Sequence, residues 1–291
     1  MLLKLKAFKG NNNMLKLETY KLFKRKIVLV VIAGFLLVLA AKEISAHGTY
    51  KMYQPEMETY GWWWFFYIIN GNLQILPAFI VVVFSGIFSY EQTFGMQDII
   101  LSTKNGRIKC TNAKIKLAFI LTNLLYIITI FVPIVHMAAV SGGRGRNTKI
   151  QMIHHTAFRQ STLKVDNQGL LLHILVLSFM AVNIILLVTL IVSFLSTKPV
   201  ISMCVVIVIL YAWRPDVMLV FFDADSAIRA LSFIPVNAMH ILHLLQCMPV
   251  NITGKEVQWV YILEMVYAVV LIAGFLFFYK ILSKNYKYYA A

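Results

Sequence analysis

Four long stretches of the chain are almost free of charged residues. Residues 61–90 contain no Asp, Glu, Lys or Arg, and comparable stretches lie at 117–140, 170–197 and 257–281, the last with only Glu264 before Lys280. A hydrocarbon core about 30 Å thick requires about 20 apolar residues of helix to cross it. The chain is 60% hydrophobic and only 13% charged, which is far from the balance of a soluble domain. The sequence therefore predicts an integral membrane protein with helical spans.

Two shorter apolar runs, at 27–41 and 200–213, extend the count of predicted spans to six. The first is short for a crossing unless the flanking basic side chains extend their charged tips to the head groups. We predict an all-α integral membrane fold, a single transmembrane domain over residues 1–291, with an N-terminal interfacial helix at 14–26 and short outer helices before the last span. The six transmembrane helices are placed near 24–41, 72–90, 117–140, 170–196, 199–221 and 257–281.

The start of the chain has a basic region, an apolar run and then the small residues Ser45 and Ala46, an order also found in secretory signals. We favour an uncleaved helix, because the basic leader is long and cleavage would leave an odd number of spans. Residues 62–67, which are all Trp, Phe or Tyr, predict an aromatic belt at the outer membrane interface.

Lysine and arginine are distributed unequally between the two sides of the predicted topology. Most of the 27 Lys and Arg residues fall on the side that carries both termini, whereas most of the 12 acids fall on the other. Because cytoplasmic loops retain basic residues, we predict a multi-pass protein of the cell membrane with both termini cytoplasmic. The basic excess attracts anionic membrane lipid, and no nucleic acid partner is predicted.

Sequence motifs for enzymatic chemistry are absent. The chain has no glycine loop ending in Gly-Lys-Ser/Thr, no His-Glu-x-x-His and no Gly-x-Ser-x-Gly. We therefore predict that it is not an enzyme, does not itself hydrolyse ATP and binds no cofactor directly. His240, His243 and Cys247 share one face of a predicted outer helix at 234–248. A zinc or copper site needs more ligands than these, so an amphipathic interfacial helix is favoured and no metal site is predicted.

Glu264 is an isolated acid within the last predicted span. It lies about two helical turns inside the outer end, at about 1.5 Å per residue. Acids inside membranes are functional candidates by default, so a role in a substrate path stays open. The favoured interpretation is structural: the carboxylate reaches the outer interface or pairs with a neighbouring helix.

The first predicted cytoplasmic loop contains an amphipathic element at 91–104. Its apolar residues can face lipid or protein while its polar residues remain exposed to water. Residues 102–106 supply a turn before the next span. A short rigid helix at this position can transmit force to a partner protein. A membrane-surface helix without a partner is the alternative.

The layout and this loop resemble the membrane subunits of ABC-2 type transporters. Those subunits have an interfacial helix before the first span, six spans, and a first inner loop with an acid, a glycine, a Leu-Leu-Ser-Thr-like string, a basic residue and Ala-Lys. Lys104 stands where one common form of the family has proline. The matching positions in this chain are Glu91, Gly95, Leu101, Ser102, Thr103, Arg107, Ala113 and Lys114.

The resemblance implies a permease subunit that exports a hydrophobic or amphipathic compound, such as an antimicrobial peptide, a drug or a lipid-like molecule. ATP and Mg would be bound by a separate ATP-binding cassette subunit, and a second permease subunit, identical or homologous, would complete the path. The element 91–104 would dock on the ATPase as a coupling helix. The residues expected to couple the two subunits are Glu91, Gly95, Ile99, Ile100, Leu101 and Arg107.

Two other classes of function stay open from the sequence. An ion-coupled carrier or a channel would work without an ATPase partner, but it would require a polar path, and the uncharged spans argue against one. A membrane-embedded enzyme would require acid, His or Cys side chains gathered at one depth, and the sequence alone assembles no such group.

Overall fold

A computed structural model describes residues 11–53, 56–93, 106–211, 231–240, 245, 249–252 and 255–288. The helices are α1 (Asn11–Lys24), α2 (Lys26–Met52), α3 (Trp62–Phe84), α4 (Ser89–Thr93), α5 (Gly106–Ser141), α6 (Thr156–Arg159), α7 (Asn167–Leu195), α8 (Pro199–Tyr211), α9 (Pro235–Ala238) and α10 (Trp259–Tyr288). A π-helical turn (Met57–Gly61) precedes α3 and a 3-10 turn (Ile150–Met152) precedes α6. Two short strands, β1 (Val250–Ile252) and β2 (Lys255–Val257), form an antiparallel hairpin with Val250 opposite Val257.

Five helical segments are long and apolar enough to cross a membrane. This confirms the coarse prediction of a helical protein with several membrane-length helices. The sixth predicted span stays a prediction, because α8 has only 13 residues and the remainder of 199–221 lies outside the described residues. The five segments are Lys26–Met52, Met57–Glu91, Lys109–Ser141, Asn167–Leu195 and Trp259–Ile281.

The first two long helices extend further than the sequence predicts. α2 continues to Met52 instead of ending near 41, and α3 begins at Trp62 instead of near 72. Charged residues at 42 and 43 suggest the end of a span in the sequence. The helix continues through them because the Glu43 carboxylate is paired with His136 of α5 at 2.7 Å.

Neighbouring helices in the first part of the bundle run in opposite directions. The Phe35 and Phe79 rings lie 5.0 Å apart, and further along the two helices Lys42 lies beside Gly71, so α2 and α3 are antiparallel. α5 and α7 are also antiparallel, and the Asn123 and Asn183 side-chain amides exchange hydrogen bonds of 3.3 Å between them. Such polar pairs hold helices together where lipid offers no hydrogen-bond partner.

The last long helix breaks this alternation. His173 of α7 contacts Glu264 near the start of α10, and Leu187 of α7 lies against Gly274 further along α10. These contacts show that α7 and α10 run in the same direction. The chain must therefore return across the bundle between Leu195 and Trp259. We call the two ends of the bundle the Glu91 end and the Glu264 end.

Large apolar side chains are exposed on the outside of the bundle. Leu37 on α2 is 70% exposed and Met265 on α10 is 72% exposed, and α5 and α8 carry similar rows. α3 and α7, in contrast, contribute most of the fully buried side chains. An apolar perimeter around a packed centre is typical of helices that face lipid.

The aromatic run at the start of α3 belongs largely to the core. Phe65 and Phe66 are buried and Tyr67 is exposed, so the predicted aromatic belt describes only part of the run. Trp62 is also buried and donates a hydrogen bond of 2.9 Å from Nε1 to the Arg144 carbonyl. Gly145 is required beside it, because its φ is +75° and a Cβ there would lie 2.8 Å from the Glu58 Cα. The loop after α5 is thereby fixed to α3.

Candidate functional site

The predicted coupling element lies at the Glu91 end, and the structure describes its first residues. Glu91 belongs to the short helix α4, and the backbone of Arg107 lies in the first turn of α5. Gly95, Ile99, Ile100 and Leu101, with most of the predicted coupling helix at 91–104, lie outside the described residues.

Glu91 is held between two lysines from different helices. Its Oε2 atom lies 2.5 Å from Lys114 Nζ of α5, and its Oε1 atom lies 3.5 Å from Lys21 Nζ of α1. Lys21 also pairs with Glu18 Oε1 at 2.7 Å. We call Glu18, Lys21, Glu91, Cys110 and Lys114 the Glu91 cluster. It joins α1, the start of the predicted coupling element and α5.

Two charges of the Glu91 cluster are buried, and both are compensated. Lys114 is only 2% exposed and Glu18 only 4% exposed. Removing two ions from water costs several kcal/mol per ion unless they are paired with good geometry. The carboxylates of Glu18 and Glu91 are paired with the ammonium groups of Lys21 and Lys114, which offsets this cost.

Burial lowers the pKa of Lys21, but the hydrogen bond with Glu18 and the charges of Glu18 and Glu91 outweigh it and raise the pKa above its ordinary value. Lys21 therefore stays charged at neutral pH. The ligand atoms of Glu18, Glu91 and Cys110 lie within 4.8 Å of one another, a spacing that can suit a metal ion. Because Lys21 and Lys114 already neutralise the carboxylates, we interpret the cluster as an ion-pair network.

Further contacts fix α4 to its surroundings. The Arg25 guanidinium lies 4.0 Å from the centre of the Tyr90 ring, a cation–π contact that links α4 to the junction of α1 and α2. On the opposite side, the Phe88 backbone N–H donates to Ser193 Oγ at 3.2 Å, and Thr93 Oγ1 donates to the Thr197 carbonyl at 3.0 Å. A displacement of α4 would therefore act on α1, α5 and the end of α7 together.

At the Glu264 end, Glu264 is paired with a histidine. Its Oε1 atom lies 2.7 Å from His173 Nδ1 of α7. His173 also lines a cavity of about 20 Å³ between α7, α3 and the segment around Met239. A cavity of this size holds about one water molecule. The described residues therefore give Glu264 a helix-pairing contact.

A second acid at the same end was missed in the sequence. Glu43 is 8% exposed, and its Oε2 atom lies 2.7 Å from His136 Nδ1. His136 Nε2 lies in turn 3.0 Å from His47 Nδ1. Glu43 and His47 are spaced one helical turn apart, which is the only sequence signal for this chain of contacts. It was missed because the first span was expected to end before Glu43.

Searches of protein-family models, of curated proteins and of solved structures find no match to this chain.

Proposed function

We propose that the chain is the transmembrane permease subunit of an ATP-driven transporter similar to the ABC-2 type. It would lie in the cell membrane with both termini cytoplasmic and work with two partners, an ATP-binding cassette subunit and a second permease subunit. ATP and Mg would be bound by the cassette subunit, so this chain would hold no cofactor and would not be an enzyme. The cargo would be a hydrophobic or amphipathic compound moved outward.

The Glu91 cluster is the observation that carries the proposal. The resemblance places the acid at position 91 at the start of a coupling helix and a lysine in the Ala-Lys pair at position 114. In the structure these two side chains form an ion pair. A coupling helix must be attached firmly to the spans it moves, and charge-assisted hydrogen bonds are the stronger kind available for such an attachment.

The direction of the last helix supports a layout of six spans. α7 and α10 run the same way, so an odd number of crossings must lie between them. α8 begins at Pro199, as the predicted fifth span does, and its 13 residues account for about 20 Å of a crossing at about 1.5 Å per residue. The predicted span 199–221 would complete it.

An apolar groove between α5 and α7 suits a hydrophobic cargo. It has a volume of about 470 Å³ and is lined by apolar side chains, among them Ile127, Phe131 and Phe179. Apolar lining with few polar groups is the usual character of sites for hydrophobic ligands. The groove supports the class of cargo and does not name the compound.

The experiment is purification of the tagged chain with its associated subunits, followed by ATPase measurement. We expect an ATP-binding cassette subunit to co-purify and its ATPase rate to depend on this chain. Ile100→Asp removes apolar docking surface from the predicted coupling helix. The ATPase rate of the cassette subunit should then no longer depend on this chain, while the spans still insert. Lys51→Asp, at an exposed position of α2, is the matched control and should leave this dependence intact. Unchanged ATPase stimulation in Ile100→Asp would count against the proposal.

An ion-coupled carrier is the second candidate, and one observation favours it. Two acids at the Glu264 end, Glu43 and Glu264, each contact a histidine at 2.7 Å, and pairs of ionisable groups inside membranes occur in proton pathways. Vesicles that contain the purified chain alone decide between the two. Transport driven by a pH gradient without nucleotide would support the carrier, and its absence would support the permease.

A further inference from the structure

A polar cleft between α2 and α3 includes no residue of the Glu91 cluster and none of the acid–histidine contacts at the Glu264 end. It has a volume of about 270 Å³, which is room for roughly nine water molecules at about 30 Å³ each. Lys42, Ser45 and Thr49 supply polar groups from α2, and Asn70 and Gln74 supply them from α3. From these features we infer that the cleft binds the phosphate of an anionic phospholipid head group.

Lys42 is the charge that defines the cleft. Among the described residues, no carboxylate lies within 4.0 Å of its ammonium group, because the neighbouring Glu43 is paired with His136 on another side of α2. A lysine inside a membrane helix is expensive unless it reaches water, a head group or an opposite charge. An anion seated in the cleft would supply that missing charge.

The position of Gly71 gives the ammonium group its room. A Cβ at Gly71 would lie 3.0 Å from Lys42 Nζ, so any larger residue would crowd the tip of the lysine. The cleft therefore has two separable properties, the charge of Lys42 and the space that Gly71 leaves beside it.

The depth of the cleft fits a head group. Lys42 lies 16 residues after Lys26, about 24 Å along α2 at about 1.5 Å per residue, in a hydrocarbon core about 30 Å thick. Trp64 and Tyr67 line the same cleft, and these residue types concentrate where hydrocarbon meets head groups. The Lys42 backbone is therefore about 6 Å inside the membrane face opposite Lys26, a distance that the lysine side chain can span to reach a lipid phosphate.

The chemistry of the lining favours an anionic lipid over a zwitterionic one. Among the described residues, Lys42 is the single charged one that lines the cleft, so the described lining carries a net positive charge. A lysine ammonium is a point charge with three donors, which suits a phosphate oxygen, and the Ser45 and Thr49 hydroxyls can donate to the same group. Phosphatidylglycerol adds hydroxyl groups that can donate to the side-chain oxygen of Gln74, whose Nε2 atom lies 3.1 Å from His240 Nδ1.

The test is a lipid titration of the purified chain in neutral detergent, read by native mass spectrometry. The probes are dioctanoyl phosphatidylglycerol, dioctanoyl phosphatidylcholine and inorganic phosphate. We expect one phosphatidylglycerol to bind more tightly than phosphatidylcholine, and Lys42→Met to weaken that binding by about tenfold, as loss of a charge-assisted contact does. Lys42→Arg should stay within about threefold of the wild type, since it keeps the charge.

Two variants separate a specific site from general attraction to a basic protein. Lys51→Met removes the same charge from an exposed position on the same helix and should leave the affinity unchanged. Gly71→Ala keeps every charge and should weaken binding by severalfold, because it narrows the space beside Lys42. It also keeps the proposal testable if Lys42→Met is not recovered as a monodisperse protein.

Three results would overturn the inference. Lys42→Met and Lys51→Met could reduce lipid binding equally, which would make the effect one of net charge. Phosphatidylcholine could bind as tightly as phosphatidylglycerol. Inorganic phosphate could displace the lipid and bind alone with the same dependence on Lys42, which would make the cleft a site for a soluble anion. None of these outcomes depends on an ATPase partner, so the inference stands or fails separately from the proposed function.

Discussion

The acids that join helices at the two ends of the bundle have different partners. At the Glu91 end, Glu18 and Glu91 are paired with lysines, whereas at the Glu264 end Glu43 and Glu264 are paired with histidines. A lysine is a permanent cation at physiological pH, and a histidine is not. The Glu91 end is therefore built as a fixed connection of carboxylate–ammonium pairs, and the Glu264 end uses carboxylate–histidine contacts.

This difference suits the proposed division of work between the ends. A connection that transmits movement from a partner must keep its geometry under all conditions in the cell. The opposite end also contains the cleft around Lys42, where the charge has no described protein partner. An exporter that is driven from one side would need rigid attachment at that end and accessible polar groups at the other.

The largest loss of stability should come from removing Lys114, a cation that is only 2% exposed. Lys114→Met leaves the Glu91 carboxylate with only the longer contact to Lys21, and breaking a buried pair from one side costs about 3 kcal/mol. The measurement is reversible unfolding in mixed micelles. Lys109→Met, at an exposed position of the same helix, should change stability by less than about 0.5 kcal/mol. Equal losses of stability in the two variants would refute the interpretation of the Glu91 end as a fixed connection.

A smaller effect is expected for Glu43→Gln at the other end. The amide can still accept a hydrogen bond from His136, so the variant loses only the charge assistance, about 1 kcal/mol. The same unfolding assay measures it, with Glu56→Gln at an exposed position as the control. A loss of stability as large as that of Lys114→Met would show that charge contributes equally to stability at the two ends.

The smallest effect on stability is expected for Lys21, and it depends on pH. Its pKa in the folded protein is raised above the ordinary value of 10.5, so its contribution to stability is complete below that value and is lost as pH rises through the folded pKa. Because the side chain is one-third exposed, solvent screening limits the contribution to about 0.5 kcal/mol. The stability difference between wild type and Lys21→Gln should be constant from about pH 6 to 9 and should shrink above about pH 11. A difference that shrinks below pH 9 would contradict this assignment.

The long helices were predictable because a membrane-length apolar stretch is a local property of the sequence. A helix at α1 was predictable for a similar reason, since residues 14–26 space apolar side chains among lysines, and its location at the membrane interface stays a prediction. The hairpin at 250–257 was missed, although Thr253 and Gly254 at its centre are typical of a turn.

The pairings that build the sites could not be predicted. Glu91 meets Lys21 across 70 positions of sequence, and Glu43 meets His136 across 93. These contacts depend on how the helices pack, which no local pattern encodes. The extension of α2 through Lys42 and Glu43 follows from the same packing, and it therefore escaped the sequence analysis together with the cleft.

The most direct test of the account is transport by vesicles that contain the permease with and without its ATPase subunit. We predict that cargo moves only when the cassette subunit and ATP are present, and that Ile100→Asp abolishes this movement while the spans still insert in the membrane. Cargo movement at the full rate by the chain alone, in the absence of nucleotide, would contradict the claim that the Glu91 end receives its driving force from another protein.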